Sequence, residues 1–523
     1  MSQMSQLRQA MTWAHTWIGV ILGGVLMVAF FMGSIAVFDR EIDRWMMPDT
    51  RLAAVSPQTD QVGVAAQAVD KLAAGRPLRE WAVTLAEPRT PVMIVRVRTD
   101  NGGATRLVDP RTGAMLADQR TLGASSFFYP LHYNLHLRVW NIGYYMVGLA
   151  AMAMLAAIVS GVIIHVRIFK DFFTFRPRKQ LKRSLLDLHN LTGVLALPFH
   201  AVISFSGVAI VYMIVLPAGI GALYRQPAVF YDEALSGYSR ARADVAAPLA
   251  PLAPMLATAR ARWGGAEPAS IRVWHPGDAN AVVKIARSVQ DRVSLADDAV
   301  YFNGATGALL RHDPLRPAAA TQRFLTGMHF VAFDHWPLRW LYFLGGLAGC
   351  VLIATGQLFW LDKRHTRHGE RGVRLAAAVT AAMTTGLVMA TLAMLVANRV
   401  LPMNVPSREL VEAGIFLLVW LGSAVHARVA MRRGSRTLVP WRSHCIVIAL
   451  LALSAPVLNG ITTGDWLPLA LVRQQFAVAG VDLGLLLAGA MAWLAARRLA
   501  PSRQPATAVR TKLAAAIEET DHA

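Results

Sequence analysis

An apolar stretch that carries two imidazoles constrains this chain more than any other feature. Residues 190 to 216 are almost wholly apolar, long enough to cross about 30 Å of hydrocarbon as a helix rising roughly 1.5 Å per residue. His189 and His200 lie at and within this span, where an imidazole is costly unless something partners it. They are 11 residues apart, so at roughly 100° per residue they share one helical face and lie about 16 Å apart along the axis. Neutral imidazole is a common axial ligand of haem iron, and two such groups at two depths suit a helix holding two stacked haems. Hydrogen bonding of each ring to a neighbouring helix is the alternative, so the balance rests on partners elsewhere in the chain.

Those partners must be sought in a chain that is apolar throughout. Of its 523 residues 55% are hydrophobic and 16% charged, with mean hydropathy +0.40, which excludes an ordinary soluble enzyme and reads as a polytopic α-helical membrane protein. The net charge of +20 does not point to nucleic acid, because the basic residues cluster just outside apolar spans, as positive-inside bias requires. Cys350 and Cys445 lie in or at the edge of spans, so neither a disulfide framework nor a cysteine-built zinc or iron–sulfur site is expected. The first apolar run is too long for a signal peptide and lacks a small-residue cleavage site. No Gly-x-Gly-x-x-Gly follows a strand and no phosphate loop occurs, and His132-x-x-x-His136 lacks the Glu of a zinc-protease helix. If electrons flow, they come from a membrane quinol or a separate cytoplasmic reductase.

In chain order, a first span over about 13 to 38 puts His15 at its cytoplasmic end and closes a segment 1–39. Residues 40–130 form a soluble α+β domain outside the membrane, with a short amphipathic helix over 60 to 74, strands at Val92–Arg98 and Arg106–Val108, and a turn at Asp109–Gly113. Segment 131–216 holds the second and third spans. His132 and His136 precede the second span at i, i+4, on one helical face, and seven Lys or Arg between Arg167 and Arg183 fix the connection between the spans as cytoplasmic. Residues 217–325 make a second outer domain, with strands at Ile271–Trp274, Ala281–Ile285 and Ala299–Phe302. A fourth span lies in 326–365, four plain spans in 366–500, and a polar tail in 501–523. Glu412, His426, His444 and Asp482 in the last four spans are read as structural or interfacial. The topology is eight spans with both termini cytoplasmic.

The first four spans contain a repeat. Aligning His15 with His189 also aligns Gly19-Val20 with Gly193-Val194 and Phe31-Met32-Gly33 with Phe205-Ser206-Gly207. Val108–Leu116 (VDPRTGAML) likewise parallels Phe302–Leu310 (FNGATGALL), and Leu131-His132 parallels Met328-His329. Two such units give a four-helix core about a pseudo-two-fold along the membrane normal. By depth the histidines fall into an inner group, His15, His165 and His189, and an outer group, His132, His136, His200, His329 and His335. Symmetry sets His15 against His189 and His132 against His329. The iron ligands are drawn from His189, His200, His329 and His132. Arg138, Arg323 and Arg339 near the outer group and Arg167 and Arg183 near the inner suit haem propionates.

The His-x-x-x-Gly openings (His15 to Gly19, His189 to Gly193), the Leu-His before the second span and the paired Asp-Pro-x-Thr-Gly-like turns resemble the PepSY-associated transmembrane family. This family includes iron-regulated inner-membrane proteins and ferric-siderophore reductases of bacteria. The resemblance covers about residues 1 to 365, leaves the last four spans outside, and meets Asn303-Gly304-Ala305 where the second turn would carry Asp-Pro-x. It implies two periplasmic PepSY-like domains and an inner-membrane ferric-chelate reductase of b-haem type, carrying two haems and meeting a siderophore outside the cytoplasm. The alternative is a non-catalytic PepSY protein that binds peptides or partner proteins, or a transporter accessory.

Overall fold

Apolar runs flanked by basic residues become long helices, because in hydrocarbon only a helix satisfies its own amides. The computed structural model describes residues 3–56, 59–165, 181–226, 230, 238–296, 298–312, 316–365, 370–432 and 439–500. Among these, seven helices are long and apolar enough to cross a membrane, or eight if one bent pair counts as a single span. The bent pair is the expected first span: Gln3–Ile21 and Gly23–Ala36 meet at 63°, hinged at Leu22 with Gly23 beyond it. The third span is likewise two helices, Leu181–Leu195 and Leu197–Val215, broken at Ala196 with a proline in the first turn of the second. That proline, Pro198, has no amide to give the preceding turn, so the helix expected to run unbroken from His189 to His200 is interrupted between them. Most of the basic connection between the second and third spans, Arg167 included, and the tail 501–523 lie outside the described residues.

The strands expected outside the membrane are present as β2 (Met93–Thr99), β3 (Gly102–Val108), β4 (Pro268–Trp274), β5 (Val282–Arg287) and β6 (Ala299–Asn303), and the helix as Gln61–Ala73. Two strands were not read from the sequence, β1 (Glu80–Thr84) and the short β7 (Leu309–Arg311). β1 changes the architecture. It pairs antiparallel with β2 on one side and with β4 on the other, Val83 opposite both Val95 and Ile271. Two domains expected to stand apart therefore share one seven-stranded sheet, β3-β2-β1-β4-β5-β6-β7. One face packs Trp81, Val83, Val95, Val97, Ile271 and Val283 beneath Gln61–Ala73 and Leu252–Arg262, a core shared by the three strands of the first half and the four of the second.

A helix that follows the first span, Asp39–Met46, ties the sheet, the first span and the C-terminal helices together. Arg89 from the β1–β2 loop grips Glu41 with two bonds of 2.8 and 2.6 Å. One turn further along this helix Trp45 donates to Asp482 at 2.8 Å, and Arg399 lies over the Trp45 ring while donating to Met46 O. Asp43 accepts from the amides of Ala124 and Ser125 at 2.6 and 3.1 Å. Burial, with the nearby Asp39 charge, pushes the Asp43 carboxyl up to about 7 from 3.8. A carboxyl whose folded value is raised binds more protons folded than unfolded between the two values, so stability falls as pH rises from about 4 to 7 and is flat above. Asp43→Asn is expected to remove that slope in detergent melting curves taken across this range, and an unchanged slope would assign it to other groups.

Candidate functional site

The bends bring the aligned histidines face to face. His15 and His189 stand with ring centres 6.2 Å apart at 89°, and His132 and His329 with centres 5.8 Å apart at 32°. His15 Nδ1 donates to Ala157 O at 2.9 Å and His189 Nδ1 to Leu352 O at 2.9 Å. His132 Nδ1 donates to Ala29 O at 2.7 Å. His329 Nδ1 donates to the Ser206 hydroxyl at 3.1 Å, with that hydroxyl in turn donating to Val202 O. Each bond fixes the proton on Nδ1 and leaves the Nε2 lone pair to a ligand.

Three of the rings also lie against a glycine four residues beyond their accepting carbonyl, and His329 lies against Gly207, next to the accepting Ser206. A Cβ at Gly161 would stand 3.2 Å from the His15 ring, at Gly356 3.0 Å from His189, at Gly33 2.8 Å from His132 and at Gly207 3.1 Å from His329. The partner helix thus supplies an oxygen acceptor to orient the imidazole and a missing side chain to admit it. The signal was present in the sequence as Ser160-Gly161, Ser206-Gly207 and Thr355-Gly356, small-residue pairs that let helices and rings approach closely.

Four of the expected histidines, His15, His165, His189 and His200, line one cavity of about 920 Å³ that extends to Lys363 and Arg364, at the upper end for small-molecule and cofactor sites. Three of its lining groups, His165 Nε2, Gln357 Oε1 and Trp360 Nε1, are buried without a hydrogen-bond partner among the described residues, a costly state that a polar occupant relieves. His200 belongs here and not with the sheet-side pair where depth had placed it: its Nε2 is 3.3 Å from Gly345 O and its ring meets Phe30 edge-on.

His136 also departs from expectation. The helix Tyr129–Asn134 is only six residues long and ends in left-handed Leu135 and His136, so His136 leaves the face that carries His132. It stacks on Phe127 at 4.9 Å and donates from Nε2 to Phe127 O at 2.8 Å, a structural role. His335 Nδ1 accepts from Leu338 N at the start of Trp336–His365. Arg339 donates to Phe333 O and Val37 O, and Arg183 pairs with Asp187.

No group of three or more His, Cys, Asp or Glu able to hold a metal ion by protein ligands alone occurs among the described residues. The donors come in facing pairs. Ring centres 6.2 and 5.8 Å apart are compatible with two imidazoles sharing one iron at bonds on the order of 2 Å, so His15 with His189 and His132 with His329 are the residues that would hold a haem.

Paired, half-buried imidazoles between apolar helices, with a sheet built from two small domains, define a multi-pass membrane protein with a candidate cofactor-binding core. The chain belongs to the PepSY-associated TM region family, which it matches over residues 12–363. It is also similar to the uncharacterized protein PA4219 of Pseudomonas aeruginosa, with 27% identity over 412 residues, 71% of this chain and 96% of that one.

Proposed function

We propose that this protein is a haem-bearing oxidoreductase of the bacterial inner membrane that passes electrons across the bilayer to reduce ferric chelates, siderophores among them, in the periplasm. The observation that carries the reading is the pair of facing histidine couples, each ring with Nδ1 committed to an oxygen acceptor. His15 and His189 would hold one b-type haem, and His132 and His329 the other. Bound haem supplies the one-electron chemistry. The chain's part is to fix the tautomers, seat the rings on glycine and exclude water, while Lys363 and Arg364 lie where propionates would meet the basic end.

In this reading the two units are repeats about an axis along the membrane normal, each contributing a PepSY-like half to the periplasmic sheet, with both termini cytoplasmic. The sheet face away from its helices presents Arg96, Arg98 and Arg272 around a shallow cavity of about 420 Å³ that draws on both halves. Only Glu80 offsets them, 3.4 Å from Arg272, so this surface attracts an anionic chelate.

Protein reduced with dithionite and freed of excess reductant is expected to convert ferric citrate to ferrous iron, trapped by a ferrous-specific dye. Changing Arg96 and Arg272 together to Glu should slow the reaction about tenfold at low salt, within the range of electrostatic steering. A haem-loaded, reduced protein that forms no ferrous iron would remove the reductase assignment.

A further inference from the structure

A third histidine pair lies in the C-terminal helices, outside the family match. His426 Nδ1 is 3.2 Å from His444 Nε2, and His444 Nδ1 is 2.7 Å from the Thr385 hydroxyl. Thr385 belongs to a π-helical turn, Ala382–Gly386, a form frequent at functional sites. With the Thr385 hydroxyl donating to Ala381 O at 3.1 Å, its oxygen accepts from His444 Nδ1–H. His444 Nε2 then accepts from His426 Nδ1–H, and His426 Nε2 is left as an acceptor at the end of the line.

That end lies on a hydrophobic surface. His444 is buried, whereas His426 is exposed on a strip of Arg408–Arg432 formed by Leu418, Leu421, Val425 and Val429, all exposed. Gly422, one turn away on the same face, has open space where a side chain would stand. An imidazole on a lipid-facing strip is costly unless a polar group meets it. The pair lies six residues from Arg432 at the basic end, about 9 Å along the axis. An occupant must therefore arrive through lipid and carry a hydroxyl on a compact head that fits the notch at Gly422. The same π turn reaches the His15/His189 cavity: Met383 packs on Gly24 and Leu26, and Gly23 and Leu26 line that cavity.

We propose that His426, backed by His444 and Thr385, is the docking site of a membrane quinol, its hydroxyl donating to His426 Nε2 and its tail lying along Leu418 and Leu421. The redox part of this proposal rests on the reading of His15 and His189 as a haem pair. Oxidation of one quinol to quinone breaks two O–H bonds. With haem held by the His15/His189 and His132/His329 pairs, its two electrons would pass to two oxidised haems, one each, and its two protons would leave in turn through His426 Nε2 to water at the basic end.

The test uses the full chain in lipid nanodiscs. Trp420, whose indole donates to Ala382 O at 3.0 Å, stands beside the pair as a fluorescent reporter. Decylubiquinone should quench it saturably. His426→Leu, which removes the acceptor, and Gly422→Leu, which fills the notch while keeping both histidines, should each weaken binding about tenfold, the effect of one lost hydrogen bond to a ligand. Decylubiquinol should reduce the Soret band of the parent and act about tenfold more slowly on both variants, while dithionite reduces all three alike. Absence of saturable quenching, or equal binding by the parent and both variants, overturns the proposal. Binding that depends on His426 in a protein without haem upholds the docking site and sinks the reductase reading instead.

Discussion

Changing one member of a facing pair to alanine is expected to remove one haem and leave the other. His15→Ala and His189→Ala should give the same product, protein with a single haem held by His132 and His329, and His132→Ala and His329→Ala should give its complement. The expectation follows from geometry: 6.2 and 5.8 Å between ring centres is compatible with two imidazoles sharing one iron, so each haem needs both rings of its own pair and neither ring of the other. His136→Ala should retain both haems, since that ring is committed to Phe127. His200→Ala is the sharper control. If one helix held both haems, through His189 and His200, the substitution would cost a haem. With His200 on Gly345 O, haem per protein stays unchanged and only the cavity wall alters. Haem assayed as pyridine haemochromogen against protein mass reads all six variants.

The second large effect concerns the joint between the family core and the four extra helices. Arg51, beyond the first span, donates to Asp465 at 2.7 Å, to Asn459 at 2.8 Å and to Trp45 O at 2.7 Å, with the two charged side chains only 3% and 9% exposed. Asp465→Ala leaves a guanidinium buried without its counter-charge, a loss on the order of 3–5 kcal/mol. Arg473 bonds the other oxygen of Asp465 at 2.7 Å but is 53% exposed, so Arg473→Ala should cost less than about 1 kcal/mol. Thermal unfolding in detergent should separate the two clearly. Equal, small shifts for both would mean that water already reaches Arg51.

Much of this arrangement was legible in the residues, and the parts that were not share a cause. Span positions followed from apolar length, and β2, β4, β5 and β6 from alternation, because both are local signals. The opposition of His15 to His189 and of His132 to His329 was legible because those residues align with one another in the sequence. The misplacements all come from treating a span as a straight rod. The halves of the first span meet at 63° about Leu22 and the third span is interrupted at Ala196 beside Pro198, and His200 lines the cavity of His15 and His189. Two left-handed residues, Leu135 and His136, end a helix that i, i+4 spacing had extended. β1 escaped because a strand of five residues offers just Trp81 and Val83 to the core, and its role as the seam between two domains is a non-local pairing that no window of sequence displays.

The charged residues of the last four spans show the same limit. Glu412 and Asp482 read from the sequence only as costly groups in a membrane. Arg408 lies one turn from Glu412 on the same helix, but the other partners lie on separate elements: Thr121 and Asn398 for Glu412, and Trp45 with Asn459 for Asp482. Both serve the joint to the core. His426, exposed and at the end of a bonded line, is the one that a structural role leaves without a reason.

The most direct measurement is the absorption spectrum and haem content of the purified, full-length protein from haem-replete cells. The account predicts two b-type haems per chain, with the sharp reduced α band and low-spin electron paramagnetic resonance of bis-imidazole iron. A colourless protein, or one haem per chain that persists when either pair is removed, would contradict it.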